Sequence, residues 1–102
     1  MIERCKKFIK KLEDLTRSGK IVWSFRVSMM SEIFHVCNVK INDQKFSITR
    51  FAPDYLSLNI EEFSYHISTT EVQDDLKRLL KTIEEVTIDK TENAIDLAMA
   101  KL

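Results

Sequence analysis

From Glu32 to Phe51 hydrophobic and polar residues alternate along two runs separated by one polar interruption. Ile33, His35, Cys37, Val39 and Ile41 fall on one side of an extended strand and Phe34, Val36, Asn38 and Lys40 on the other, because side chains alternate with period two. Asn42, Asp43 and Gln44 supply turn chemistry, after which Phe46 and Ile48 alternate with Lys45, Ser47 and Thr49. The stretch predicts a β-hairpin. Over Ile33 to Cys37 the first strand is apolar on both sides, which places it inside a sheet with cover on each face.

The flanking segments supply that cover. Ile2, Cys5, Phe8, Ile9, Leu12 and Leu15 share one stripe of an α-helix, closed by Ser18 and Gly19, with Lys6, Lys7, Lys10, Lys11 and Arg17 on its polar side. Ile21 to Val27 alternates as a half-buried strand with Trp23 on its inner side, and Ser28 to Ser31 connects it to the hairpin. Ala52-Pro53-Asp54 is a turn, and Tyr55 to Ile60 resumes alternation, completing an antiparallel meander of four strands. Glu61-Glu62 interrupts it, leaving Phe63, Tyr65 and Ile67 either to extend the last strand or to lead into the next helix. Ser68 with Glu71 has capping-box spacing, with Thr69 as an alternative cap, before the helical stripe Val72, Leu76, Leu79, Leu80, Ile83 and Val86. Thr87 and Ile88 are poor helix formers and Asp89 with Glu92 can cap a new start, so a break is expected between Thr87 and Lys90. Ile95, Ala98, Met99 and Leu102 form a last stripe.

The expected fold is α+β: an N-terminal helix, an antiparallel β-meander of three to four strands, and a C-terminal helix or helices. A chain of 102 residues forms a single domain over 1–102 and can bury a core without metals or disulfides. Apolar residues on both sheet faces allow two packings, with the helices split across the sheet or gathered on one face. In the second packing Phe34 and Val36 meet another subunit, which favours a homodimer.

Composition narrows function mainly by exclusion. Gly19 is the single glycine, whereas phosphate-cradling loops need several, so dinucleotide and P-loop chemistry is excluded. No apolar run reaches the ~18 residues of a membrane span, and lysines interrupt any signal-peptide core near the start. A cytoplasmic location is expected, and Cys5 and Cys37 read as free core thiols. His35 and Cys37 lack the paired short-loop spacing of zinc sites, and the pairs Glu61-Glu62, Asp74-Asp75 and Glu84-Glu85 diverge rather than converge on a substrate atom. No catalytic residue, metal or cofactor is expected. Residues 1–53 carry eleven positive and five negative side chains and residues 54–102 five and eleven, so a +6 half is joined to a −6 half. That dipole can steer a complementary partner or promote head-to-tail association.

The element order resembles the double-stranded RNA-binding domain, which straddles phosphates with a basic cluster at the start of its second helix. Here that position reads Thr70-Glu71-Val72-Gln73-Asp74-Asp75, and its acidity argues against nucleic acid as a partner. Leu12, Leu15, Thr16, Gly19, Lys20, Ile21 and Trp23 form a helix ending in Leu-Thr-x-x-Gly-Lys-Ile-x-Trp. This is similar to the opening of many small, largely uncharacterised bacterial and phage-encoded accessory proteins with a helix followed by a β-meander. The resemblance covers residues 12–23 and implies a microbial or mobile-element setting, with no activity and no functional residue carried over.

These exclusions leave a non-catalytic protein-binding module of the inhibitor, immunity or anti-defence type, which occludes a macromolecular target. Lys7 and Lys11 are its candidate contacts. The alternative is a protein that sequesters a small ligand such as a nucleotide signal, with Trp23, Tyr55 or Tyr65 stacking and Arg26 or Arg50 holding phosphate.

Overall fold

The computed structural model describes residues 1–25, 34–52 and 55–102. Helix α1 spans Ile2–Arg17. Strands β1 (Ser24–Phe25), β2 (Phe34–Ile41), β3 (Gln44–Ala52), β4 (Tyr55–Ile60) and β5 (Tyr65–Ile67) follow, and helix α2 spans Gln73–Ala100. The strands form one antiparallel sheet in the order β1-β2-β3-β4-β5, so the α+β meander expected from the periodicities is present, with a short fifth strand added beyond Glu61-Glu62. Arg26, Val27 and the Ser28–Ser31 connection lie outside the described residues, as does the Pro53-Asp54 part of the predicted turn.

Local chemistry sets the ends of these elements. Gly19 has φ +77°, and the amides of Gly19 and Lys20 donate to the carbonyls of Thr16 and Leu15, closing α1 with the pair of bonds that a left-handed residue permits. Asn42 and Asp43 both have positive φ and connect the paired residues Ile41 and Gln44, forming a two-residue hairpin turn whose twist matches the strands. The alternation along β2 is broken by a register shift, since His35 pairs with Thr49 and Cys37 with Ile48. The extra residue in the strand is a bulge, and it interrupts the strict alternation that the sequence predicts along β2.

Two expectations for α2 require correction. The capping box at Ser68 is not formed: a 3-10 turn covers Thr70–Val72, Thr69 stands at its start without a side-chain cap bond, and α2 begins after it with Asp74 and Asp75 in its first turn. Those carboxylates favour the positive end of the helix dipole. Nor does α2 break near Thr87, for it is continuous over 28 residues. Thr87 and Ile88 each cost at most about 0.7 kcal/mol in a helix, whereas a break exposes two sets of unpaired backbone groups. Thr91 Oγ1 instead donates to the Thr87 carbonyl.

Both helices lie together on one face of the sheet. Ile9 and Leu12 of α1 and Leu76, Leu79, Leu80 and Ile83 of α2 join Cys37, Val39, Phe46, Ile48, Leu56 and Leu58 in one core cluster. The rings of Phe8 and Phe46 meet edge-on at 5.5 Å, tying α1 to β3. Among the described residues the far face carries hydroxyls and amides. Asn59 Nδ2 donates to Ser47 Oγ (3.1 Å) and Thr49 Oγ1 (2.8 Å), Ser57 Oγ donates to Asn59 Oδ1 (3.0 Å), and Ser47 Oγ donates to Glu61 Oε1 (2.9 Å). His66 Nδ1 also bonds Asn59 Oδ1. The side chains of Phe34 and Val36, on which the dimer expectation rested, lie outside the described residues.

Candidate functional site

Helix α1 turns two chemically different sides to its surroundings, and the site lies on the edge between them. Lys7 and Lys11 are one helical turn apart, so they rise side by side next to Phe8. Behind them a groove of about 400 Å³ opens between α1 and the β2–β3 hairpin, lined by Phe8, Leu12, Leu15, Ile41 and Phe46, with Lys11 at its rim. On the other side a shallower groove of about 440 Å³ collects Lys6, Lys7, Lys10 and Lys11 beside Asp75 and Arg78 of α2. Lys10 is engaged by Glu13 (3.0 Å) and Asp14 (3.3 Å), whereas among the described residues no carboxylate pairs with Lys7 or Lys11. The result is an apolar cleft bordered by uncommitted positive charge.

A buried ion cluster holds this edge against α2. The Glu13 side chain is only 3% exposed, yet it accepts hydrogen bonds from Lys10 Nζ (3.0 Å), Arg78 Nε (3.2 Å) and Thr82 Oγ1 (3.4 Å). Arg17 Nη2 donates to Thr82 Oγ1 at 3.1 Å, and Arg78 Nη2 reaches Asp75 at 2.9 Å. Burial pushes the Glu13 carboxyl up, but the Lys10 hydrogen bond and the charges of Lys10, Arg78 and Arg17 outweigh it, and the group sits below its ordinary range. Glu13 falls four residues after Ile9 on the apolar stripe, and a carboxylate in that position is the sequence signal for this cluster.

The other candidate residues are dispersed. Trp23 is 5% exposed, with its indole N–H donated to Thr16 Oγ1 at 2.9 Å, while the Thr16 hydroxyl donates to the Leu12 carbonyl at 2.7 Å. It packs the core and leaves no ring face for stacking. Arg26 lies outside the described residues. Arg50 is half-buried on β3, and its Nε has no hydrogen-bond partner among the described residues. Tyr55 donates its hydroxyl to the Ser68 carbonyl, and Tyr65 is exposed on β5. Neither groove on α1 contains Trp23, Arg50, Tyr55 or Tyr65. Sequence reasoning named the lysine pair as candidate contacts and gave no sign of the apolar groove beside Lys11, which the hairpin creates.

The thiols differ in accessibility. Burial, with the charge of Glu84 adding to it, pushes the Cys37 thiol up to about 12, although a backbone hydrogen bond at Ile48 lowers it. Cys5 is half-buried. In the native protein iodoacetamide is expected to modify Cys5 first and Cys37 only after addition of urea, as read by intact-mass spectrometry. Equal labelling rates for the two thiols in the native state would contradict this placement.

Among the described residues no cluster of three or more His, Cys, Asp and Glu side chains is arranged to hold a metal ion, and no helix is long and apolar enough to cross a membrane. No protein-family model, curated protein or solved structure matches the chain.

Proposed function

We propose that this chain is a non-catalytic protein-binding module of the inhibitor, immunity or anti-defence type, which occludes a macromolecular target through the edge of α1. One observation carries this reading: Lys11, without a carboxylate partner among the described residues, borders a groove lined by Phe8, Leu12, Leu15, Ile41 and Phe46, and Lys7, equally without one, stands one helical turn away on the adjoining basic side. Such a surface fits an amphipathic helix that inserts apolar side chains and presents acidic ones to the rim, the helix-in-groove mode of recognition. Apolar contact supplies affinity, and opposite charge supplies orientation and encounter rate.

The test is native mass spectrometry of the protein purified gently from its own source. A stoichiometric protein complex is expected, weakened by salt and lost in the Lys7→Glu/Lys11→Glu variant. An unchanged complex with unchanged salt sensitivity in that variant rejects the α1 edge as the binding site.

A further inference from the structure

We infer that the groove of α1 receives the C-terminal half of α2 from a second copy of this chain, exchanged reciprocally across a two-fold axis. This rests on the reading of the α1 edge as a docking surface for an acidic amphipathic helix, and the second copy's arm is what holds the groove until a target displaces it. Beyond Ile83 no residue of α2 is buried; Val86 and Thr87 are half-buried and residues 88–102 are exposed. Ile88 (55% exposed), Ile95 (52%) and Met99 (63%) recur with Leu102 at spacings of seven, four and three, so one apolar stripe runs along this arm without a partner among the described residues.

Charge selects the occupant. Residues 84–102 hold five carboxylates and two lysines, net −3, whereas α1 holds six basic and three acidic side chains, net +3. Arm against arm sets −3 against −3, while arm against α1 sets opposite charges together and places apolar side chains over the groove.

Length and direction agree with that choice. Glu13 meets Arg78 and Arg17 meets Thr82, so α1 and the first half of α2 run side by side in the same direction, and α1 stops where the arm begins. At 1.5 Å per residue the arm from Glu84 to Ala100 is about 25 Å long and α1 about 24 Å. A two-fold axis perpendicular to both lays each arm antiparallel along the whole of the other copy's α1, and the contact closes on itself without open-ended polymerisation.

Sedimentation of the full-length protein tests this. The wild type is expected at twice 12.0 kDa at low salt, with dissociation as salt rises. Ile95→Glu/Met99→Glu removes the arm's apolar contacts at exposed positions, and Lys7→Glu/Lys11→Glu reverses the rim. Each variant is expected to sediment as a monomer with an unchanged circular-dichroism melt. Mixing the two restores a dimer, because the first retains an intact groove and the second an intact arm. A wild type that stays monomeric overturns the inference, as does a lysine variant that stays dimeric or a folded mixture that does not reassociate. A monomeric wild type that still holds a protein partner through Lys7 and Lys11 leaves the docking reading standing. Loss of both rejects both.

Discussion

Gln73→Ala is expected to lower unfolding stability by about 3 kcal/mol, measured as the urea midpoint at constant slope. The side chain of Gln73 is buried at the start of α2, where its Oε1 accepts the Leu56 amide and its Nε2 donates to the Leu56 carbonyl, both at 2.7 Å. Strand β5 pairs with β4 only from Leu58 to Ile60, so among the described residues the outer edge of β4 at Leu56 faces no strand. The primary amide has the donor and acceptor geometry of a peptide group and substitutes for the missing neighbour. Removing it leaves one buried N–H and one buried C=O unpaired, at about 1–3 kcal/mol each. Gln73→Glu separates the two bonds. It retains the acceptor but places a carboxylate against the Leu56 carbonyl, so the folded state favours the protonated acid. That stabilisation is present below the ordinary carboxylate value and lost as pH rises, so Gln73→Glu is expected to be weakest at neutral pH and to recover towards pH 4. A Gln73→Ala loss below 1 kcal/mol would show that the edge at Leu56 closes without the amide.

The second large effect is at Glu13. Glu13→Ala removes a buried acceptor that serves Lys10, Arg78 and Thr82, and the expected cost is about 2 kcal/mol, in the range of hydrogen bonds to charged groups. Arg78 and Lys10 are more than a third exposed and can turn to water, which keeps the cost below that of stranding a buried charge. The sign of the pH dependence follows from the carboxyl's position below its ordinary range. The unfolded chain binds the proton at higher pH than the folded one. The contribution of Glu13 is therefore complete above the ordinary carboxylate value and falls away as pH drops through the lower folded value. Wild type and Glu13→Ala are expected to differ most at neutral pH and to converge in acid. A difference that is constant across that range would assign Glu13 a packing role alone.

These two residues mark where reading from the sequence stops. Periodicity located both helices and the hairpin, because the stripe of α1 and the alternation around Phe46 and Ile48 are properties of adjacent residues. Gln73 finds Leu56 17 residues away, and the partners of Glu13 on α2, Arg78 and Thr82, lie 65 and 69 residues away, where no local pattern names them. The bulge at His35 was invisible for the same reason, since alternation counts residues along one strand and not pairs across two. The continuity of α2 was misjudged because propensity weighs each residue separately, while a helix end costs several backbone bonds at once. At the candidate site the lysines were legible as a polar stripe. The groove was not, because it exists only where Ile41 and Phe46 of the hairpin come beside Phe8 and Leu15.

The hydroxyl and amide ladder on the far face bears on mispairing during folding. If β3 paired one residue out of step, Ser47 and Thr49 would enter the hydrocarbon core while Phe46 and Ile48 displaced them beside Asn59. Both faces would be penalised together, one by stranded hydroxyls and the other by misplaced apolar surface. A meander with one indifferent face would bear the penalty on one side only. The polar face thus raises the energy of the nearest out-of-step pairing and widens its gap from the native register.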